Sequence, residues 1–133
     1  MSARNRAESP ARTPETLQAI IEDAFNRGDL DAYATAYEED ATLVVPPGGQ
    51  PVHGRDAIRA ATAPMFALQP RMTIVVRKKL ETDGLALIHT RWQLMVTDDD
   101  GNRREMNGQA TVVSRRRADG TWGIVFDDPL SAA

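Results

Sequence analysis

Two adjacent carboxylates, Asp127 and Asp128, follow the apolar run Trp122, Ile124, Val125 and Phe126, and Pro129 comes directly after them. Neighbouring residues on a strand point to opposite faces, so these carboxylates are not a paired dyad and each has its own surroundings. Pro129 has no N–H and ends the strand. A carboxylate beside such a run is costly unless it is hydrogen-bonded or has a task, and desolvation raises its pKa toward values suited to general acid–base work. Asp127 is the candidate catalytic residue if its side chain faces inward. The other role open to it is structural, as an acceptor for backbone amides or for a buried Tyr or Trp. The two histidines, His53 and His89, stand in no spaced ligand pattern, so no metal is expected. Asp98-Asp99-Asp100-Gly101 looks like a calcium loop only at first sight. With Gly101 in the invariant glycine slot, Val96 and Asn107 fall at the first and last ligand positions, and neither suits an EF-hand. A solvated hairpin tip is expected there. Gly-rich phosphate loops and nucleophile elbows are missing from the sequence, so no cofactor is expected.

Composition narrows the classes further. The chain has 133 residues, enough for one domain, and carries a net charge of −3 from 16 basic and 19 acidic side chains. That balance argues against a nucleic-acid partner. Arg77-Lys78-Lys79 and Arg115-Arg116-Arg117 are short basic runs whose side chains alternate between faces, so neither makes a continuous patch. Cysteine is absent, which rules out disulfides and thiolate chemistry and makes a cytoplasmic location the expectation. No apolar run approaches the ~20 residues of a membrane helix, and the arginine-bearing N-terminus has no apolar stretch of the secretory kind.

The elements that must position these groups read as follows. Residues 1–12 are polar and aperiodic, a flexible tail, and 13–133 form a single domain. Thr13-Pro14-Glu15 starts a helix whose apolar stripe is Leu17, Ile20, Ile21, Ala24 and Phe25, and Gly28 stops it. Asp29 caps a short second helix with the stripe Leu30, Tyr33, Ala34 and Tyr37. Ala41 to Val45 reads as a buried strand, broken by Pro46-Pro47-Gly48-Gly49. A third helix carries Ala57, Ile58, Ala61, Thr62 and Met65, with Pro64 expected to kink or shorten it. Strands near 72–80, 85–96, 104–116 and 121–127 are separated by Asp-Gly turns, strong hairpin signals. Helices first and an antiparallel meander afterwards indicate an α+β fold.

Four stretches, Asn26-Arg27-Gly28-Asp29-Leu30-Asp31, Tyr37-Glu38-Glu39-Asp40-Ala41-Thr42-Leu43, Pro51-Val52-His53-Gly54-Arg55-Asp56-Ala57-Ile58 and Asp119-Gly120-Thr121-Trp122-Gly123-Ile124-Val125, carry a resemblance in their order and spacing. Over roughly 14–130 the chain resembles the nuclear transport factor 2-like superfamily, in its SnoaL-like and ketosteroid-isomerase-like branch. It is most similar there to bacterial members that end in a Trp-containing strand followed by Asp and Pro. The resemblance implies a cone-shaped α+β fold, three helices packed on a strongly curved, mainly antiparallel sheet around a ligand pocket. It also implies homodimers, often through the convex sheet face. By that alignment Ala86, Ile88, Thr90, Trp92 and Leu94 face inward on one strand, Gly108, Ala110, Val112 and Ser114 on the next, and Val125 and Asp127 on the last. Tyr37 falls at a pocket-facing position of the second helix. Phe25 and Thr62 complete the implied ligand-binding set of Tyr37, Thr90, Trp92 and Val112. The positions at which steroid isomerases carry their base and two oxyanion donors hold Val45, Ile21 and Val112, so that chemistry does not carry over. Two functions stay open. One is a protein that binds a small apolar, carbonyl-bearing ligand, with isomerase, cyclase or lyase chemistry at Asp127. The other is a non-catalytic dimerisation or association module. An open cone with Asp127 inside favours the first, and a self-filled cone favours the second.

Overall fold

The computed structural model describes residues 11–45 and 49–131. In chain order they form α1 (Pro14–Arg27), α2 (Leu30–Thr35), β1 (Tyr37–Val45), β2 (Gln50–His53), α3 (Arg55–Phe66), β3 (Arg71–Thr82), β4 (Leu85–Thr97), β5 (Arg103–Arg116) and β6 (Trp122–Asp128). The helices begin and end where local chemistry directs. The Thr13 hydroxyl accepts from Thr16 N, Pro14 occupies the first turn of α1, and Gly28 ends it at φ 70°. Asp29 caps α2 by accepting from Ala32 N. Pro64 sits in the last turn of α3, which stops at Phe66.

The strands make one curved, unclosed sheet in the order β2-β1-β6-β5-β4-β3, with the three helices packed against it. Every neighbouring pair is antiparallel except β1 and β6, which run parallel. The last strand therefore lies inside the sheet, between β1 and β5. Asp83 and Gly84 join β3 to β4 with φ of 39° and 79°, the two positive values that a tight hairpin turn of this hand needs. β3 lies at an edge, and α1 covers part of it. The Asn26 carboxamide exchanges two hydrogen bonds with the Met72 backbone, Glu22 accepts from Ile74 N, and Glu15 pairs with Lys79 at 2.7 Å. These contacts satisfy edge N–H groups that would otherwise template another strand. The core between helices and sheet holds Leu17, Ile21, Phe25, Ile58, Ile88, Leu94 and Ile124, among others.

Three sequence expectations shift. Tyr37 is not on the second helix, which ends at Thr35. It opens β1, drawn into the sheet by parallel pairing with Ile124 of β6. The acidic stretch Glu38-Glu39-Asp40 has no apolar alternation, which hid this early strand start. Ala11 and Arg12, read as the end of the tail, are held. Ala11 is buried and its carbonyl accepts from Trp122 N, while the Arg12 guanidinium donates to the Asp119 carbonyl. Residues 1–10 of that tail, and Pro46-Pro47-Gly48 of the expected turn, lie outside the described residues. Val125 does not face inward as Asp127 does. The register of β5 with β6 passes from Val113↔Phe126 to Ser114↔Ile124, so Val125 is an extra residue, a β-bulge. Trp122 and Ile124 are buried before the bulge, and it resets the alternation so that Asp127 joins their face.

Candidate functional site

Between α1, α3 and the concave side of the sheet lies a half-open cavity of about 140 Å³. It is strongly apolar. Ile21 and Phe25 come from α1, Met65 from α3, Leu43 and Val45 from β1, and Leu94, Ala110 and Val112 from β4 and β5. All seven site residues singled out from the sequence line it: Asp127, Tyr37, Thr90, Trp92, Phe25, Thr62 and Val112. Val45, Ile21 and Val112, which the resemblance aligns with the steroid isomerase base and donors, are in the wall as well.

A chain of hydroxyls ends on Asp127. Tyr37 Oη donates to Asp127 Oδ2 at 2.5 Å, and Tyr33 and Tyr37 Oη lie 3.1 Å apart. Because the single phenolic proton of Tyr37 goes to the carboxylate, Tyr33 must donate to Tyr37. Thr62 Oγ1 in turn donates to Tyr33 Oη at 3.2 Å. The direction is thus Thr62 to Tyr33 to Tyr37 to Asp127. Tyr33 and Tyr37 are 4% and 1% exposed, and the ring of Phe25 packs edge-on against Tyr33. Burial pushes the Asp127 carboxyl up from 3.8 to about 6, the Tyr37 hydrogen bond pulls it part of the way back, and the charge of Asp128 adds a further upward push. Burial, followed by the nearby Asp127 charge, drives the phenols of Tyr37 and Tyr33 upward, so both stay protonated donors. A carboxyl group that titrates near neutrality at the end of a donor chain can give or take a proton from a molecule in the cavity.

Trp92 has a double role. Its ring lines the cavity, and its Nε1–H donates to the Pro129 carbonyl at 2.7 Å. That bond ties the segment after β6 to β4, with Ser131 Oγ on Thr111 Oγ1 as a second tie. Gly108 gives this segment room, since a Cβ there would meet Leu130 and the Trp92 ring. Two cavity residues with polar side chains were not among those singled out from the sequence. Tyr33 was read only as part of a helical apolar stripe, although a tyrosine one turn before Tyr37 was the available signal. Gln18 breaks the apolar stripe of α1, is 6% exposed, and lines the cavity.

The other chemistry-bearing groups lie elsewhere. His53 ends β2 and bonds Thr42 Oγ1 at 2.9 Å, while His89 bonds Thr111 Oγ1 at 3.1 Å, and neither lines the cavity. Asp98 organises the β4–β5 hairpin by accepting from Asp100 N, Asn102 N and Arg104 Nε. Among the described residues no group of three or more His, Asp or Glu side chains is placed to hold a metal ion. Arg117 and Arg115 pair with Glu38, at 2.5 Å and 3.3 Å. No helix among the described residues is long and apolar enough to cross a membrane.

The family profile for the SnoaL-like domain matches residues 17–123, most of the chain. The chain belongs to the SnoaL-like domain family. No curated protein matches the sequence. Among solved structures, this SnoaL-like chain is similar to a conserved protein from Planctomyces limnophilus DSM 3776, with TM-score 0.79, 22% identity, and 87% of this chain and 91% of that one covered. It is also similar to a ketosteroid isomerase-like protein from Erwinia carotovora atroseptica SCRI1043, with TM-score 0.75, 21% identity, and coverage of 86% and 89%. An NTF-2 like protein from Shewanella oneidensis MR-1 matches with TM-score 0.70, 26% identity, and coverage of 86% and 93%. These likenesses place the SnoaL-like chain in the NTF2-like superfamily and establish its α+β fold.

Proposed function

We propose that this SnoaL-like protein binds a small, largely apolar, carbonyl-bearing ligand and performs acid–base chemistry of the isomerase, cyclase or lyase type on it, with Asp127 as the proton shuttle. One observation carries the reading: a carboxyl group inside an apolar cavity, held by a directed chain of buried hydroxyls, with its pKa raised to about 6. A general acid–base group works best when it titrates near the working pH. The cavity also supplies the low dielectric in which one aimed donor counts for more than it does in water.

The test has two stages. A thermal-shift screen of small ketones, enones and aromatic carbonyl compounds identifies binders, and a ligand at 100 times its Kd adds about 2.7 kcal/mol of stability. Binders are then incubated in D2O, and deuterium uptake next to the carbonyl is followed by NMR. Wild-type protein is expected to catalyse uptake and Asp127→Asn to lose it, while Asp128→Asn keeps it. Equal rates for wild type and Asp127→Asn would refute the assignment.

A second reading, an association module, draws on the opposite sheet face. Val75, Leu80, Leu85 and Phe126 are 49%, 55%, 47% and 55% exposed there. We propose that this face, together with His89, Arg91, Gln93, Gln109, Thr111, Val113 and Arg115, joins two copies of the chain about a two-fold axis. A patch of exposed apolar side chains on a sheet supports self-association. Light scattering at micromolar concentration is expected to give the dimer mass, with Phe126→Glu shifting it to monomer. A monomeric wild type would overturn the proposal.

A further inference from the structure

The cavity has a second polar region that the acid–base reading does not use. Gln18 and Thr90 are 6% and 3% exposed, and both line the cavity. Neither side chain makes a hydrogen bond to any described residue. Among the described residues Arg117 Nη2 is the one fully buried side-chain polar atom without a partner, so the polar atoms of Gln18 and Thr90 open onto the cavity. Polar groups so sheltered are rarely left without partners, and here those partners would lie in the cavity itself.

The two groups sit at one level. Along β3, α1 places Asn26 beside Met72, Glu22 beside Ile74 and Glu15 beside Lys79. Gln18 therefore falls near Val76, and Val76 is the β4 partner of Thr90. Asp127 lies on the far side of the sheet's concave face. It pairs with Val112, which pairs with Ile88, two residues before Thr90. Two strand spacings and two residues of rise put the Cα atoms of Thr90 and Asp127 roughly 12 Å apart. Side chains on a concave face converge, so their polar ends lie closer than that, within the reach of one aromatic ring with a hydrogen-bonding oxygen at each end. The volume agrees, since a cavity of about 150 Å³ is known to hold benzene, and this one measures about 140 Å³. Among the described residues no Lys, Arg or His lines the cavity, and Asp127 is the one carboxyl there. An anionic ligand would meet only that carboxylate and neutral groups.

We propose that Gln18 and Thr90 form an uncharged recognition point opposite Asp127, and that the ligand is a neutral molecule of about one ring with a hydrogen-bonding oxygen at each end. This deepens the acid–base reading and rests on its ligand cavity. The distal oxygen accepts from the Gln18 amide and the Thr90 hydroxyl. The proximal group faces Asp127 Oδ1, the carboxylate oxygen that Tyr37 does not take.

The test uses four probes of similar size: ethylbenzene, acetophenone, 4-hydroxyacetophenone and the anion 4-hydroxybenzoate. Binding is followed by NMR on 15N-labelled protein, with the Gln18 side-chain amide signals assigned through Gln18→Leu. 4-Hydroxyacetophenone is expected to bind tightest and to shift the Gln18 amide signals, and 4-hydroxybenzoate weakest. Gln18→Leu and Thr90→Val are each expected to weaken 4-hydroxyacetophenone about tenfold, and to leave ethylbenzene within about twofold, which also shows that the variants are folded. If ethylbenzene binds but the oxygenated probes gain nothing over it, or are insensitive to both substitutions, the recognition point is refuted and the cavity reading stands. The same holds if 4-hydroxybenzoate binds tightest. If no probe binds the wild type, both readings fall.

Discussion

Asp127→Asn tests the buried carboxyl without any knowledge of the ligand. Asparagine keeps the size of the side chain and an oxygen for the Tyr37 hydroxyl to bond, and it removes the charge. In the native protein burial holds the carboxyl proton up to about pH 6, against 3.8 ordinarily. The folded state therefore binds more protons than the unfolded chain between those values, and stability falls as pH rises through that window. Well below pH 3.8 the carboxyl is neutral in both states and contributes no penalty, and at pH 4 only a small part of it has developed. Above about pH 6 the full penalty is present. Each unit of displacement is worth about 1.4 kcal/mol, and because the cavity is half-open the total is set at about 2 to 3 kcal/mol. Urea denaturation of wild type and Asp127→Asn at pH 4 and pH 7.5 reads the difference directly, since every other titrating group cancels. The two proteins are expected to match within about 1 kcal/mol at pH 4, and the variant to be more stable by about 2 to 3 kcal/mol at pH 7.5. A difference that does not change with pH would refute the raised pKa, and with it the physical basis of the proton-shuttle reading.

Tyr37→Phe removes the hydrogen bond that lowers the Asp127 pKa. The carboxyl resonance of Asp127 is expected to titrate at higher pH in this variant, and an unchanged or lower midpoint would show that the bond does not hold the charged form. Gly123→Ala places a methyl group against Arg117 Nη2 and Glu38 Oε2. The ends of both flexible side chains must shift to admit it, and a cost of about 1 to 2 kcal/mol is expected, read by urea denaturation, whereas no measurable loss would mean that the pair moves aside freely. Isomerisation of 5-androstene-3,17-dione is expected to stay at the protein-free rate, because Val45, Ile21 and Val112 offer neither base nor donor and the cavity suits one ring rather than four. Clear turnover of that steroid would overturn the assignment of those positions.

Much of the architecture was legible because its signals are local. The Thr13 cap, the Gly28 stop and the Asp-Gly hairpin turns each depend on a few neighbouring residues, and the period-two pattern of β4 and β5 separates inner from outer side chains. The same alternation put Thr90 with Trp92 on one face of β4 and Val112 with Ala110 on one face of β5, and the resemblance made those the inner faces. The resemblance to the SnoaL-like branch placed Asp127 there. What sequence could not supply was the agreement between distant strands. Strict alternation from the buried Trp122 and Ile124 would have turned Asp127 to the outer face. The extra residue at Val125 reverses it, and that bulge exists only in the register between β5 and β6. Tyr37 reads as helical on its own stripe, and parallel pairing with β6, almost ninety residues away in the chain, makes it the start of a strand. The hydroxyl chain from Thr62 through Tyr33 and Tyr37 to Asp127 joins two helices and two strands, so no local pattern announces it. Residue type determined which groups were able to do chemistry. Long-range strand pairing decided which of them share a cavity, because register is a property of two segments together and of neither alone.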